Sequence, residues 1–207
     1  MSTIVKICGV TSVEDGLAVA EAGADALGLM FYEPSSRHVS LRTAAEISRA
    51  VPPFLLKVGV FVDAESDQVM QAIETCGLNL LQFHGDESPE YCRSFPVMTI
   101  KAFRMRDTQS LAILPAYDTG AWLLDAYVPG AVGGTGEAFN WELAIEARKL
   151  GRPIFLAGGL TPGNVAAAIR QVQPYGVDVS SGVESAPGRK DHAKVRAFVS
   201  AAKSKEA

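Results

Sequence analysis

The sequence has the composition of an ordinary globular protein: its 207 residues are 48% hydrophobic and 20% charged, and the formal net charge is −4. A chain of this length can close a sizeable core, while the mild negative charge and the lack of a basic run argue against a nucleic-acid surface. No apolar stretch reaches the ~20 residues of a membrane span, and because the N-terminus lacks a charged-then-apolar leader, we expect a cytoplasmic protein.

Short apolar runs predict eight β-strands that alternate with helical segments along the whole chain. Most runs are continuously hydrophobic rather than alternating, which is typical of parallel strands that are covered on both faces. The predicted strands are TIVKI (3–7), ADALGLMF (24–31), LLKVGVFV (55–62), LNLLQF (78–83), VMTIKAF (97–103), AWLLDA (121–126), PIFLA (153–157) and YGVDVS (175–180).

Several of the intervening helices carry start and stop signals. The first helix is expected to end at Gly23, since glycine commonly follows the last helical residue. The weakest helical pattern lies at 107–116. The start signals are Thr11 with Ser12, Ser40, Ser88 and Thr161, the last two followed by proline at the first helical position.

Eight strands and eight helices predict a single (β/α)₈ barrel, or TIM barrel, that forms one catalytic domain over residues 1–207. An open doubly wound sheet is the structural alternative. Such a sheet normally has fewer strands and one glycine-rich switch point, whereas glycines follow several strands of this chain.

The strand ends predict an acid and a base at the mouth of this barrel, where the functional residues of such folds lie. Cys8 ends strand one and Asp125 ends strand six, on opposite sides of the mouth. A thiolate accepts protons well, and a partly buried carboxylic acid can donate one. The pair therefore suits an isomerisation by proton transfer that needs no cofactor.

The last two strand ends predict a phosphate site, a recurrent feature of barrels. Glycines let backbone N–H groups approach an anion closely, and the sequence GVES is expected to open a short extra helix whose amides point at the same anion. The candidate residues are Gly158, Gly159, Asp178, Ser180, Ser181 and Gly182.

Further candidates lie in the loops. Arg37 offers a fork for a carboxylate, and His84 either contacts the ligand or orients a neighbouring group. A metal needs several converging ligands, and we expect none here. The segment GGTGEAF (133–139) lacks the Lys-Ser/Thr ending of a nucleotide-binding loop, so we expect a loop that flanks the site. Cys76 and Cys92 are expected to be structural, and the odd set of three cysteines argues against disulfides.

Six motifs follow one another in order from strand one to the last helix. They are KICG (6–9), F…S-x-R-x-V (31–39), Q-F-HG-D-E (82–87), LLD with GGTG-x-x-F-x-W (123–141), LAGGL-x-P-x-NV (156–165) and DVSSGVE…PG-x-KD (178–191). This ordered set resembles the phosphoribosylanthranilate isomerase family of tryptophan biosynthesis. Two positions depart from the family pattern: Phe83, where leucine is common, and Asn140, where aspartate is common.

The resemblance implies an Amadori rearrangement of N-(5′-phosphoribosyl)anthranilate to 1-(2-carboxyphenylamino)-1-deoxyribulose 5-phosphate. Asp125 would be the general acid that opens the ribose ring, and Cys8 the general base that removes the proton from C2′. Arg37 would hold the anthranilate carboxylate, and the loops after strands seven and eight would hold the phosphate.

Two other hypotheses remain open from the sequence. One is a different phosphosugar barrel, either a metal-dependent pentose-phosphate epimerase or the aminoaldose isomerase of histidine synthesis, which by resemblance uses aspartate where this chain has Cys8. The other is a barrel that only binds a phosphorylated ligand, although such a protein needs neither acid nor base. We expect a small phosphorylated substrate, no nucleic-acid or membrane partner, and a monomer, with a homodimer possible.

Overall fold

Eight parallel strands close into a barrel in chain order. The computed structural model describes residues 3–126 and 141–204, and within them each strand pairs with its neighbours while the first pairs with the eighth. The predicted barrel is therefore confirmed, and the open sheet is wrong. The strands are β1 (Ile4–Cys8), β2 (Ala26–Met30), β3 (Leu56–Phe61), β4 (Leu80–Phe83), β5 (Met98–Met105), β6 (Ala121–Ala126), β7 (Ile154–Ala157) and β8 (Gly176–Val179).

Helices cover the outside of the barrel. In the part of the chain that the structure describes, they are α1 (Val13–Glu21), α2 (Leu41–Ala50), α3 (Ser66–Cys76), α4 (Pro89–Arg93), α5 (Trp141–Arg148), α6 (Val165–Val172) and α7 (His192–Lys203). None of these is long and apolar enough to cross a membrane. The predicted loop at 133–139 and the departure at Asn140 lie outside the described residues.

Serine hydroxyls begin three helices where the sequence predicted. Ser12, Ser40 and Ser88 each accept a hydrogen bond from the backbone N–H three residues further on, at 3.1–3.2 Å. This bond satisfies one of the donors that the first helical turn leaves free. The chain leaves α1 through Gly23 with φ of 82°, as the sequence predicted.

Two helix predictions were wrong. The chain at 107–116 forms two short 3₁₀ helices, Thr108–Leu111 and Leu114–Ala116, because the ring of Pro115 cannot continue an α-helix. Helix α6 begins at Val165 rather than directly after Thr161, because the Asn164 side chain accepts from the Thr161 N–H at 2.8 Å and donates to Gly159 O at 3.0 Å, which holds the segment as a turn.

The chain after β8 does not form the predicted extra helix beyond Gly182. A three-residue 3₁₀ turn, Ser181–Val183, leads into an antiparallel hairpin of β9 (Glu184–Ala186) and β10 (Arg189–Lys190). Two bonds fix the hairpin: the Asp191 N–H donates to Val183 O at 2.9 Å and the Lys190 N–H donates to the Asp15 carboxylate at 3.0 Å. These contacts turn the backbone away from a helical path.

The apolar core has two parts, which leave the upper interior of the barrel polar. The larger part fills the space between strands and helices, and includes Val5 and Ile7 of β1. The smaller part lies inside the barrel and includes Ile100, Leu123 and Phe155. Because side chains alternate along a strand, the residues between Val5 and Ile7 and after Ile7 point into the barrel.

A buried ion pair shapes the loop after β4. Lys101 Nζ lies 3.2 Å from Glu87 Oε2 and donates to the carbonyl of Gly85 at 2.7 Å. The Glu87 carboxylate in turn accepts from the N–H groups of Asp63 and Gly85, each at 2.9 Å. The loop that carries His84 is therefore held from beneath by charge-assisted hydrogen bonds.

We expect Lys101→Met to lower the free energy of unfolding by about 3–5 kcal/mol, because it leaves the buried Glu87 carboxylate without its cation. Urea denaturation followed by tryptophan fluorescence measures this loss. The control is Arg42→Ala, which removes the exposed pair of Arg42 with Glu46 and should cost less than about 1 kcal/mol. Equal losses in the two variants would contradict the structural role of the buried pair.

Candidate active site

One cavity of about 270 Å³ opens at the C-terminal ends of the strands. It is lined by all ten residues that the sequence assigned to the site, although their individual roles stay predictions. These residues are Cys8, Arg37, His84, Asp125, Gly158, Gly159, Asp178, Ser180, Ser181 and Gly182.

Cys8 lies at the top of β1 and is only 6% exposed. Its strand neighbour in register is Gly28 of β2, which leaves space beside the sulfur. Burial raises the pKa of the Cys8 thiol above its ordinary value, the Lys6 ammonium lowers it, the Asp178 carboxylate raises it and Lys190 lowers it, and burial prevails. The thiol is therefore reached from the cavity but is not an unusually acidic one.

Asp125 lies at the end of β6, which in the closed ring is separated from β1 by β7 and β8. The acid and the thiol therefore belong to different walls of the same mouth, as the sequence predicted. Asp125 Oδ2 lies 3.4 Å from His84 Nε2, so the structure gives His84 the orienting contact that the sequence left open.

Gln82 contacts the nitrogen of His84 that does not face Asp125. The amide nitrogen of Gln82 lies 3.4 Å from His84 Nδ1. The His84 ring therefore lies between Gln82 on its Nδ1 side and Asp125 on its Nε2 side. Gln82 is buried, and within residues 3–126 and 141–204 its carbonyl oxygen has no hydrogen-bond partner.

Arg37 is positioned by a carboxylate of the protein itself. Its Nε and Nη2 donate to the two oxygens of Glu184 at 2.7 and 2.6 Å, and Lys190 Nζ donates to Glu184 Oε1 at 2.9 Å. These hydrogen bonds raise the pKa of Arg37, and although burial acts to raise the pKa of Glu184, Arg37 and Lys190 hold it below its ordinary value. Arg37 can therefore offer a ligand carboxylate only its remaining N–H groups.

The loops after β7 and β8 form an open backbone surface. Gly158 and Gly159 both have positive φ, 82° and 64°, and a Cβ at Gly159 would meet no atom within 4 Å. A Cβ at Gly182 would collide with the Leu160 carbonyl, so the two loops approach so closely that only glycine fits. The Ser180 hydroxyl is buried without a hydrogen-bond partner among the described residues. This surface suits a phosphate group.

Sequence reasoning missed four polar residues of the site: Lys6, Gln82, Glu184 and Lys190. Lys6 and Gln82 carried a signal, since each lies two residues before a predicted rim residue and therefore on the same inward face of its strand. Glu184 and Lys190 lie within the motif DVSSGVE…PG-x-KD, but the short helix expected at GVES gave no indication that a hairpin brings them to the mouth. No group of three or more His, Cys, Asp or Glu side chains that could hold a metal occurs in the described ranges.

Comparison with known proteins identifies the family. Residues 5–201 match the family model for N-(5′-phosphoribosyl)anthranilate (PRA) isomerase. The N-(5′-phosphoribosyl)anthranilate isomerase of Geobacter sp. strain M21 is 57% identical over 201 residues, which are 97% of this chain and 98% of that protein.

Solved structures of the same family have the same fold as this chain. The phosphoribosyl anthranilate isomerase of Thermotoga maritima superimposes with a TM-score of 0.92 at 41% identity, covering 97% of this chain and 98% of that one, and a further structure describes the Thermotoga enzyme as dimeric. An isomerase in complex with reduced 1-(o-carboxyphenylamino)-1-deoxyribulose 5-phosphate has a TM-score of 0.88 at 39% identity, with 97% and 98% coverage. The chain therefore belongs to the N-(5′-phosphoribosyl)anthranilate isomerase family and is an isomerase of tryptophan biosynthesis.

Proposed function

We propose that Asp125 is the general acid and Cys8 the general base of the Amadori rearrangement that converts N-(5′-phosphoribosyl)anthranilate to 1-(2-carboxyphenylamino)-1-deoxyribulose 5-phosphate. The observation that carries this proposal is their location on β6 and β1, facing one cavity of about 270 Å³. A sugar that lies between the two walls has one proton carrier on each side. Fixing the substrate in this way is catalysis by positioning and proton transfer.

The first step opens the ribose ring. The carboxyl group of Asp125 gives its proton to the ring oxygen while the C1′–O bond breaks, and the nitrogen lone pair forms the C1′=N bond of a protonated Schiff base. His84 holds Asp125 through Oδ2, so the other carboxylate oxygen is the one that serves the substrate. The resulting Asp125 carboxylate is stabilised by the Nε2–H of His84.

The second step forms the enolamine. The Cys8 thiolate takes the proton from C2′, the C–H electrons form the C1′=C2′ bond, and the C1′=N electrons return to nitrogen. Protonation at C1′ and loss of the enol proton then give the ketone. Because burial raises the pKa of Cys8, the thiolate is a strong base when it forms.

The two anionic ends of the substrate have separate partners in this proposal. The phosphate binds at Gly158, Gly159 and the segment 180–182, where glycines let backbone N–H groups approach an anion closely. The anthranilate carboxylate binds the N–H groups of Arg37 that Glu184 leaves free, as a charge-assisted contact. Asp178, which the sequence grouped with substrate-binding residues, has one oxygen engaged by Lys6, so its other oxygen is the one available to a sugar hydroxyl.

We also propose a homodimer of single-domain subunits in the cytoplasm. Phe54 is 95% exposed, and Met98 and Tyr175 are exposed beside other strand starts on the N-terminal face of the barrel. Exposed apolar side chains at one end of the barrel are candidates for an interface, and the related Thermotoga enzyme is described as dimeric. The three cysteines are free, which fits a reducing compartment.

Cys8→Ala should lower kcat by about 10²–10⁴-fold, because proton removal from C2′ loses its base, while the dissociation constant of reduced 1-(o-carboxyphenylamino)-1-deoxyribulose 5-phosphate changes little. Turnover assays and calorimetric titration separate the two quantities. Cys76→Ala, at the end of α3 and away from the cavity, is the control and should keep full turnover. Undiminished kcat in Cys8→Ala would remove the thiol from the mechanism.

Asp125→Asn should lower kcat by a similar ~10²–10⁴-fold factor, since an amide cannot transfer the proton to the ring oxygen. Ligand affinity should again be retained, because the amide keeps the size of the side chain. The matched control is Asp118→Asn, an exposed acid that pairs with Arg152, which should leave kcat unchanged. If Asp125→Asn turns over as fast as the parent enzyme, the acid is another group.

Phe54→Asp should convert the dimer to monomers, because a carboxylate at the centre of an apolar interface loses its hydration without a partner. Light scattering coupled to gel filtration measures the mass. Leu17→Asp, on the outer face of α1, is the control and should remain dimeric. A parent protein that runs as a monomer at the same concentration contradicts the proposed assembly.

A further inference from the structure

A buried charge lies directly beneath the proposed base. Lys6 precedes Cys8 by two residues on β1, so both side chains point into the barrel. Lys6 is 1% exposed, and its Nζ donates to Asp178 Oδ1 at 2.8 Å. Although burial acts to lower the pKa of Lys6, Asp178 and Cys8 raise it above its ordinary value. The amine is therefore an ammonium at neutral pH.

The ammonium and the thiol share the space above Gly28. A Cβ added to Gly28 would lie 2.8 Å from Cys8 Sγ and 3.2 Å from Lys6 Nζ. Because glycine has no side chain, nothing of β2 intervenes between the two groups. The positive charge of Lys6 lowers the pKa of the Cys8 thiol, against the effect of burial.

Other charges also face Cys8, but none replaces Lys6. Arg37 and Lys190 share one carboxylate, Glu184, and Lys6 is paired with Asp178, so pairing alone does not separate the three cations. Among the charged groups, Lys6 has the largest effect on the thiol. Among residues 3–126 and 141–204, the charged or titratable groups around Cys8 are Lys6, Asp178, Lys190 and Arg37, with Glu184 bound to Arg37 and Lys190 and with Asp125 and His84 across the mouth.

We propose that Lys6 is a positioning residue for the general base: its ammonium, fixed by Asp178, stabilises the negative charge that Cys8 must carry before it can take a proton from carbon. This proposal rests on the proposed role of Cys8. In a water-poor interior the attraction between unit charges is several times stronger than in water, so one correctly placed ammonium offsets much of the cost of a buried thiolate. Gly28 is the residue that keeps the contact open.

The experiment measures the rate of Cys8 alkylation by iodoacetamide as a function of pH. Mass spectrometry of the peptide that contains Cys8 follows this thiol separately from Cys76 and Cys92. In Lys6→Met the midpoint of the profile should move up by at least about one pH unit, which is about tenfold less thiolate at a given pH below it. In Asp178→Asn the midpoint should move down, because the repelling carboxylate is gone and the Cys8 thiolate itself favours the ammonium form of Lys6.

The expected midpoint shifts have opposite signs in Lys6→Met and Asp178→Asn, and this difference distinguishes an electrostatic effect from a loss of structure. A purely structural role of the Lys6–Asp178 pair would shift both variants in the same direction, and that result, or a Lys6→Met profile that superimposes on the parent profile, overturns the proposal. Lys6→Met leaves a buried carboxylate unpaired and could fail to fold. The double variant Lys6→Met/Asp178→Asn avoids this charge, and its midpoint should lie above that of Asp178→Asn alone; equal midpoints again overturn the proposal.

The pH dependence of kcat/KM tests the underlying function separately. If Cys8 is the base, the rising limb of kcat/KM should move in the same direction and by the same amount as the alkylation midpoint in each variant. Alkylation midpoints that move as expected while the kcat/KM limb stays in place would overturn the role of Cys8 as base, and not its contact with Lys6.

Discussion

Closure of eight parallel strands is the constraint on which the rest of this site depends. In a closed ring, every second side chain points inward and all the C-terminal strand ends share one rim. Register then decides which residues meet: Cys8 lies level with Gly28 on one side, and Lys6 lies level with Asp178 on the other. A shift of one residue in β1 would turn both groups into the helical layer.

The site contains buried charged side chains, whose desolvation disfavours folding, next to an apolar core that stabilises the fold. Lys6, Asp178, Glu184 and Lys190 are all buried, and each carries a partner of opposite charge. Pairs of this kind add little net stability compared with apolar residues, so packing between strands and helices must supply the stability that they do not. Their value lies in orientation, since a paired side chain with several hydrogen bonds has one geometry.

Sequence patterns predicted the barrel because its signals are local. Continuous apolar runs indicate strands. A serine directly before a helical pattern indicates a helix start, because its hydroxyl accepts from the backbone N–H three residues further on, as Ser12 and Ser40 do. The helix start predicted at Thr161 was wrong because two local signals compete there. Thr161 followed by proline is typical of a helix start, but the Asn164 side chain holds residues 161–164 as a turn. Whether a segment is a strand or a helix was therefore predictable from the sequence. Which of two neighbouring capping residues, Thr161 or Asn164, begins the helix was not.

Contacts within the site were harder to predict because they join distant parts of the chain. The sequence correctly predicted that Arg37 lies at the mouth of the barrel. Nothing in the sequence near Arg37 indicates that its guanidinium binds the carboxylate of Glu184, 147 positions away. The same holds for Lys6 and Asp178, 172 positions apart. The strand ends predicted where the proposed acid and base lie, and the family match excludes the epimerase and aminoaldose isomerase alternatives. Only three-dimensional geometry shows which cations and anions are already paired.

The pairing also explains how a buried thiol can work beside an anionic substrate. In the proposed complex the substrate brings a phosphate and a carboxylate to the rim, and both negative charges act against formation of a thiolate. Arg37 would then be shared between Glu184 and the carboxylate of the substrate, so its charge would be balanced by two anions. Lys6 is different, because it lies beneath Cys8 and is sealed from the cavity's ligands. Its charge stays with the sulfur in the complex, which is the state in which the proton must leave carbon.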